Sequence, residues 1–215
     1  MSLGSDIKEV YTEIGTAFLI VTESGESAGG YLDFELKAQD TKPFIRSSFL
    51  KAFFAYDTTV TPGTIIKFTQ TDEPYLVVNI DPVIFENDVY EYEGVLYKCN
   101  VSGEIYYPSG EAGWSTSTYQ KEEQFALRKS TVYGLIAENL IDSRLEQDES
   151  IGQVSTTDQV LYLPSSSNVQ VMDRYVLYSG ESDAEYYKIE VIEKRRFGHD
   201  KVYTCRLAED TRKFP

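Results

Sequence analysis

A pattern of three short strands separated by polar turns occurs twice in this chain. It is found first in TPGTIIKFTQTDEPYLVVNIDPVIFENDVYEYEGVLYKCN and again, about a hundred residues later, in VMDRYVLYSGESDAEYYKIEVIEKRRFGHDKVYTCRLAEDTRKFP. In both, a turn (Pro62-Gly63; Met172-Asp173) leads into a strand, and a polar turn and a second strand follow, centred on residues 75–80 and 186–192. A third run ends Tyr-x-Cys, at Tyr97 and Cys99 and again at Tyr203 and Cys205. Read as a repeat, this predicts a mostly β protein built of two small antiparallel β-barrel-like domains, an architecture suited to building or binding more than to catalysis. The alternative is convergence, since any two meanders share alternation and turns. The expected division is residues 1–125, an N-terminal β domain with an aromatic-rich loop, and residues 126–215, a small C-terminal barrel.

Seventeen tyrosines and eleven phenylalanines against one tryptophan point the same way, because aromatic side chains pack well on pleated surfaces. The N-terminus is the exception. Ser5 can cap a short helix in which Ile7, Val10, Tyr11 and Ile14 share one face, with Gly15 as the stop. TAFLIVT at 16–22 reads as a buried strand, ESGESAGG as a turn and YLDFELK as an alternating strand. FIRSSFLKAFFAY at 44–56 fits a helix or a strand, and its aromatic load favours the strand. KSTVYGLIAENLIDSRLEQDES begins as a strand and turns helical around Leu135, Ile136, Leu140 and Leu145, and VLYLP is a strand ended by Pro164.

The net charge of −15 is unevenly spread. Residues 61–120 carry 9 acids and 2 bases, whereas 161–215 carry 9 of each. Such a chain repels phosphate, which disfavours tight wrapping of nucleic acid but suits the wall of a channel that DNA slides through. An acidic surface that simply keeps the protein soluble needs no partner. Two cysteines make no disulfide framework, so Cys99 and Cys205 are expected as reduced, buried thiols in separate cores. The opening MSLGSDIKEVYTEIG has no charged-then-apolar signal pattern and no apolar run is long enough to span a bilayer, which predicts folding in a cytoplasm and no membrane partner.

Chemistry finds little support. The single histidine, His199, sits in the turn-like RRFGHDK, no nucleophile elbow is present, and one histidine with two distant cysteines is a poor zinc set. No phosphate-cradling glycine motif precedes a helix. Glu91 and Glu93 share a strand face and could be drawn as an acid and base pair, but acids are plentiful here. DSRLEQD at 142–148 lacks the central glycine of a calcium loop. No enzyme, cofactor or metal is therefore expected.

Two features point to partners. VSGEIYYPSGEAGWSTSTYQ reads as a loop, yet it carries Tyr106, Tyr107 and Trp114, and aromatics on a loop serve contacts between proteins. The alternative is a loop folded back over its own barrel. Lys194, Arg195 and Arg196 form the concentrated positive cluster, which can pair with an acidic patch on the next copy, touch DNA phosphates, or remain a solvated turn.

Four stretches together resemble the small β-barrel of tailed-bacteriophage head-to-tail connector proteins, the head-closure or stopper group. They are Asp173-Arg174-Tyr175, Glu185-Tyr186-Tyr187, the charged turn at 194–199, and CRLAEDTR at 205–212. The opening MSLGSDIKEVYTEIG and the runs TKPFIR and VLYKCNVSGE are similar to virion proteins encoded near phage structural genes. The resemblance covers about a quarter of the chain, and the longer N-terminal half departs from the single barrel common in that group. It implies a virion protein assembled in the bacterial cytoplasm. Copies would form a ring between the portal or adaptor and the tail proteins, close to packaged DNA. A tail, collar or baseplate component is the rival within that class, and a soluble carbohydrate- or protein-binding β module the rival outside it.

Overall fold

In the computed structural model, residues 3–36, 49–114, 121–138, 159–178 and 184–212 are described. The protein is mostly β, with one α-helix among the described residues, α1 (Leu3–Ile14), and two closed six-stranded antiparallel barrels. The first is built of β1 (Thr16–Thr22), β2 (Gly25–Leu36), β3 (Phe49–Ala55), β4 (Ile65–Phe68), β5 (Pro74–Phe85) and β6 (Asp88–Lys98). The second is built of β7 (Val101–Trp114), β8 (Lys121–Glu138), β9 (Gln159–Pro164), β10 (Arg174–Leu177), β11 (Glu185–Glu193) and β12 (Val202–Glu209).

Their strand orders are the same. Around the first barrel the order is β1-β2-β3-β6-β5-β4, and around the second β7-β8-β9-β12-β11-β10. The repeat therefore takes in the whole of each barrel, and backbone bonds fix its register. Gly63 donates to Val77 O at 2.7 Å while Val77 donates to Thr64 O, and Met172 donates to Ile189 O at 2.8 Å while Ile189 donates to Asp173 O. Both turns use a left-handed residue, Gly63 at φ 81° and Met172 at φ 75°. Both are closed by a side chain three residues on, since Thr64 Oγ1 accepts from Thr61 N and Asp173 Oδ2 from Gln170 N. A bulge follows in each, between Val77 and Asn79 and between Ile189 and Val191.

This register corrects the Tyr-x-Cys correspondence. Cys99 N bonds Pro74 O as Asp210 N bonds Tyr186 O, so Cys99 corresponds to Asp210. Cys205, paired with Ile192, corresponds to Gly94, paired with Ile80.

The chain divides into two compact units, Met1–Cys99 with Phe197–Val202, and Asn100–Arg196 with Tyr203–Pro215. The boundary expected at 125/126 thus lies at 99/100. The reason is that the aromatic-rich stretch is no loop of the first domain but β7, hydrogen-bonded to β8 and β10 of the second barrel. Leu135 and Ile136 likewise lie on β8, paired with Tyr162 and Leu161 of β9, not on a helix. Residues 139–150, which include Leu140 and Leu145, lie outside the described residues.

The first core is aromatic. Phe18 meets Phe54 edge-on at 5.7 Å, and Phe68 stacks on Tyr75 at 4.7 Å. β3 alternates as a half-buried strand should, with Leu50, Ala52 and Phe54 inward. The second core is largely aliphatic, with Ile105, Leu161, Leu163, Ile189 and Leu207 around Tyr175. The Tyr175 hydroxyl donates to Val132 O at 2.9 Å, and Gly103 is required beside it because a Cβ there would come within 2.7 Å of the ring.

α1 differs from expectation in its phase. Ser5 lies inside the helix, and the docked side carries Gly4, against Tyr56, and Tyr11, whose hydroxyl donates to Glu91 Oε2 at 2.7 Å. Val10 and Ile14 stay exposed. Gly15 does stop the helix, its N–H bonding Tyr11 O.

Cys99 and Cys205 are both free and buried. Burial, which disfavours the thiolate, pushes both thiols from an ordinary 9.0 up to about 12. The folded pKa exceeds the unfolded one, so this contribution to stability is intact below pH 9 and is lost as pH rises towards 12. Iodoacetamide should leave both thiols unlabelled in the folded protein at pH 8, whereas rapid labelling there would contradict their burial.

Candidate functional site

The segment read as a loop is one strand of a long ribbon. β7 pairs with β8 from Val101 opposite Gly134 out to Trp114 opposite Lys121, whereas β10 borders β7 only from Gly103 to Tyr106. Beyond Tyr106 the two strands continue as a two-stranded arm. Glycine and proline are tolerated because the register shifts between Pro108 and Gly110 and between Glu111 and Gly113, the bulges that such residues favour.

The arm is clamped at its root. Phe125, on β8, is met by two guanidinium groups, Arg174 at 3.9 Å and Arg212 at 4.9 Å from the ring centroid. Arg174, at 0% exposure, donates through Nε to Asp210 Oδ2 at 2.6 Å and through Nη2 to Arg212 O at 2.6 Å. Arg212 donates to Asp210 through Nε at 2.8 Å and Nη2 at 2.7 Å, and through Nη1 to Glu123 Oε2 on the arm at 3.1 Å. Also on β8, the Arg128 guanidinium covers Tyr107 of β7 at 4.9 Å and lies 2.9 Å from Asp173.

The electrostatics follow from this geometry. Burial alone would raise the Asp210 carboxyl, but hydrogen bonds from Arg212 and Arg174 hold it down to about 2. For Asp173, burial wins and its carboxyl is raised despite the bonds from Gln170 N and Arg128. The arrangement is a charge-compensated anchor that ties Phe125 and Glu123 of β8 to Arg174 on β10 and to Arg212 after β12.

The other expected site residues fall as follows. Tyr106 and Tyr107, adjacent on β7, point to opposite faces. Tyr106 donates to Glu104 at 2.6 Å, and Tyr107 is exposed beneath Arg128. Trp114 closes β7, and its side chain lies outside the described residues. Lys194, Arg195 and Arg196 follow β11, separated from β7 by β10. Lys194 sits over Tyr203 at 5.4 Å and Arg196 pairs with Glu193 at 3.5 Å. His199 lies within the first unit, Nε2 2.7 Å from Val78 O. Glu91 is engaged by Tyr11, and Glu93 by Lys51 at 2.8 Å. DSRLEQD lies outside the described residues. The anchor was missed, although Asp173-Arg174 and Asp210-x-Arg212 fall in two of the four stretches that carry the resemblance.

Fold and site together define a protein of two like-wound six-stranded barrels, the second bearing a clamped β-ribbon arm. Comparison with protein families, with curated proteins and with solved structures finds no match.

Proposed function

We infer that this chain is a structural, non-enzymatic protein of a tailed-bacteriophage virion, part of the head-to-tail connector or neck ring that closes the packaged capsid and docks the tail. Its partners are copies of itself, the portal or adaptor, and tail proteins, with packaged DNA nearby. The observation that carries this reading is the anchored arm. A ribbon held by buried ion pairs at its root, with exposed side chains from Tyr107 to Gly110, is suited to reaching a neighbouring chain, where main-chain bonds and the aromatic residues of the arm would supply contact. A tail, collar or baseplate ring would use the same parts. A carbohydrate-binding module would bind as a free monomer, which a glycan screen tests.

Trp114→Ala is expected to lower the yield of completed particles at least about tenfold while the far-ultraviolet circular dichroism of the purified chain is unchanged. Normal yields would count against the arm as the contact.

A further inference from the structure

We propose that the tip of the β5–β6 hairpin is a docking finger, whose Ile84 and Phe85 enter an apolar pocket rimmed by lysine or arginine on another protein. This surface belongs to the first barrel, is separate from the arm, and does not depend on the ring reading.

The hairpin outruns its barrel. β4 borders β5 only as far as Leu76, and β3 borders β6 only from Glu91 onward, while β5 and β6 stay paired out to Phe85 opposite Asp88. A two-residue turn closes the ribbon, with Glu86 at φ 49° and Asn87 at φ 71°, the left-handed pair whose twist matches that of the flanking strands. The tip is therefore a tight ribbon end and not a slack loop. Beside the turn stand Ile84 and Phe85, at 61% and 54% exposure. The edge of β5 is blunted against strand addition by Pro82, which has no N–H to offer, and by the bulge between Val83 and Ile84. Contact at the tip thus falls to side chains.

Their charge selects the partner. Between Pro74 and Tyr97 the hairpin carries five carboxylates and no lysine, arginine or histidine. The three away from the turn are matched within the chain. Tyr11 donates to Glu91 at 2.7 Å, Lys51 lies 2.8 Å from Glu93, and Asn79 donates to Asp81 at 2.6 Å. Glu86 and Asp88, at the turn itself, are exposed and have no hydrogen-bond or ion-pair partner among the described residues. Apolar side chains beside unmatched carboxylates fit a surface that is both apolar and cationic. Nucleic acid phosphate is repelled, and a second copy, at a net charge of −15, is a poor source of the cations.

The repeat supplies an internal precedent. The shared strand order matches β11–β12 to β5–β6, and the connection between β11 and β12 is not left in solvent. Its Phe197 meets Tyr97 edge-on at 6.1 Å, and His199 Nε2 lies 2.7 Å from Val78 O. An aromatic side chain at this point of the barrel is thus used for packing, whereas Phe85 on the equivalent hairpin stands exposed.

The test is photo-cross-linking in the cells that naturally make the chain, with a benzophenone analogue of phenylalanine in place of Phe85 and the linked peptide sequenced by mass spectrometry. The expected adduct is with a different protein, at an apolar site flanked by lysine or arginine. Glu86→Lys/Asp88→Lys should lower its yield about tenfold. The same double variant and Ile84→Ser/Phe85→Ser should leave the thermal unfolding of the purified chain unchanged, because all four side chains are exposed. No adduct, an adduct with a second copy or with nucleic acid, a linked site without cations, or a yield indifferent to charge reversal would overturn the proposal. So would a clear fall in thermal stability of the serine variant, which would mean that the tip serves its own barrel.

Discussion

Arg174→Ala is expected to destabilise the second barrel by about 3–5 kcal/mol, the range for removing one partner of a buried ion pair. Arg174 is wholly buried and touches three parts of the unit at once: Asp210 beyond the end of β12, the backbone of Arg212, and the ring of Phe125 on β8. Its loss leaves Asp210 with a single guanidinium and removes the nearer of the two cations over Phe125. The acid limit should move as well. Asp210 is held near 2 when folded, below an ordinary 3.8, so its stabilising contribution is present above that ordinary value and fades as pH falls towards 2. Without Arg174 that carboxyl rises, and acid unfolding should begin at higher pH. Denaturant titrations of both proteins at pH 7 and pH 4 measure both effects, and an unchanged midpoint would show that the buried network is not an anchor.

Phe54→Ala is expected to cost the first barrel about 3–5 kcal/mol. The ring is at 0% exposure, meets Phe18 edge-on at 5.7 Å, and fills the space over Gly94, where a Cβ would stand only 2.9 Å away. Removing it leaves a cavity between strands that are already paired across β3 and β6, so the walls have little freedom to collapse. Phe54→Leu keeps most of the volume and should cost less than half as much. Equal losses from the two substitutions, read by thermal unfolding, would mean that ring shape and not volume governs the site.

The fold was legible where one strand face is buried and the turn chemistry is explicit. The aromatic load of Phe49–Ala55 marks it as a strand, its alternating burial emerging only in the barrel, and Pro164 ends β9 before the 3₁₀ turn at Ser165–Ser167 and left-handed Asn168. β7 was hidden because its glycines and proline signal a loop, while the bulges that accommodate them depend on β8, which lies further along the chain. The Tyr-x-Cys match misled for a related reason. The strand ends correspond through backbone bonds to Pro74 and Tyr186, which spacing alone does not reveal. The anchor lay in plain residues, yet nothing in their spacing along the chain shows that Arg174 and Arg212 converge on Phe125 and Asp210.

The most direct measurement is cryo-electron microscopy of whole particles with this chain carrying a visible label. A ring of signal at the junction of head and tail is the expected result. Signal at the tail tip would contradict the connector assignment, and absence from particles would contradict a virion role altogether.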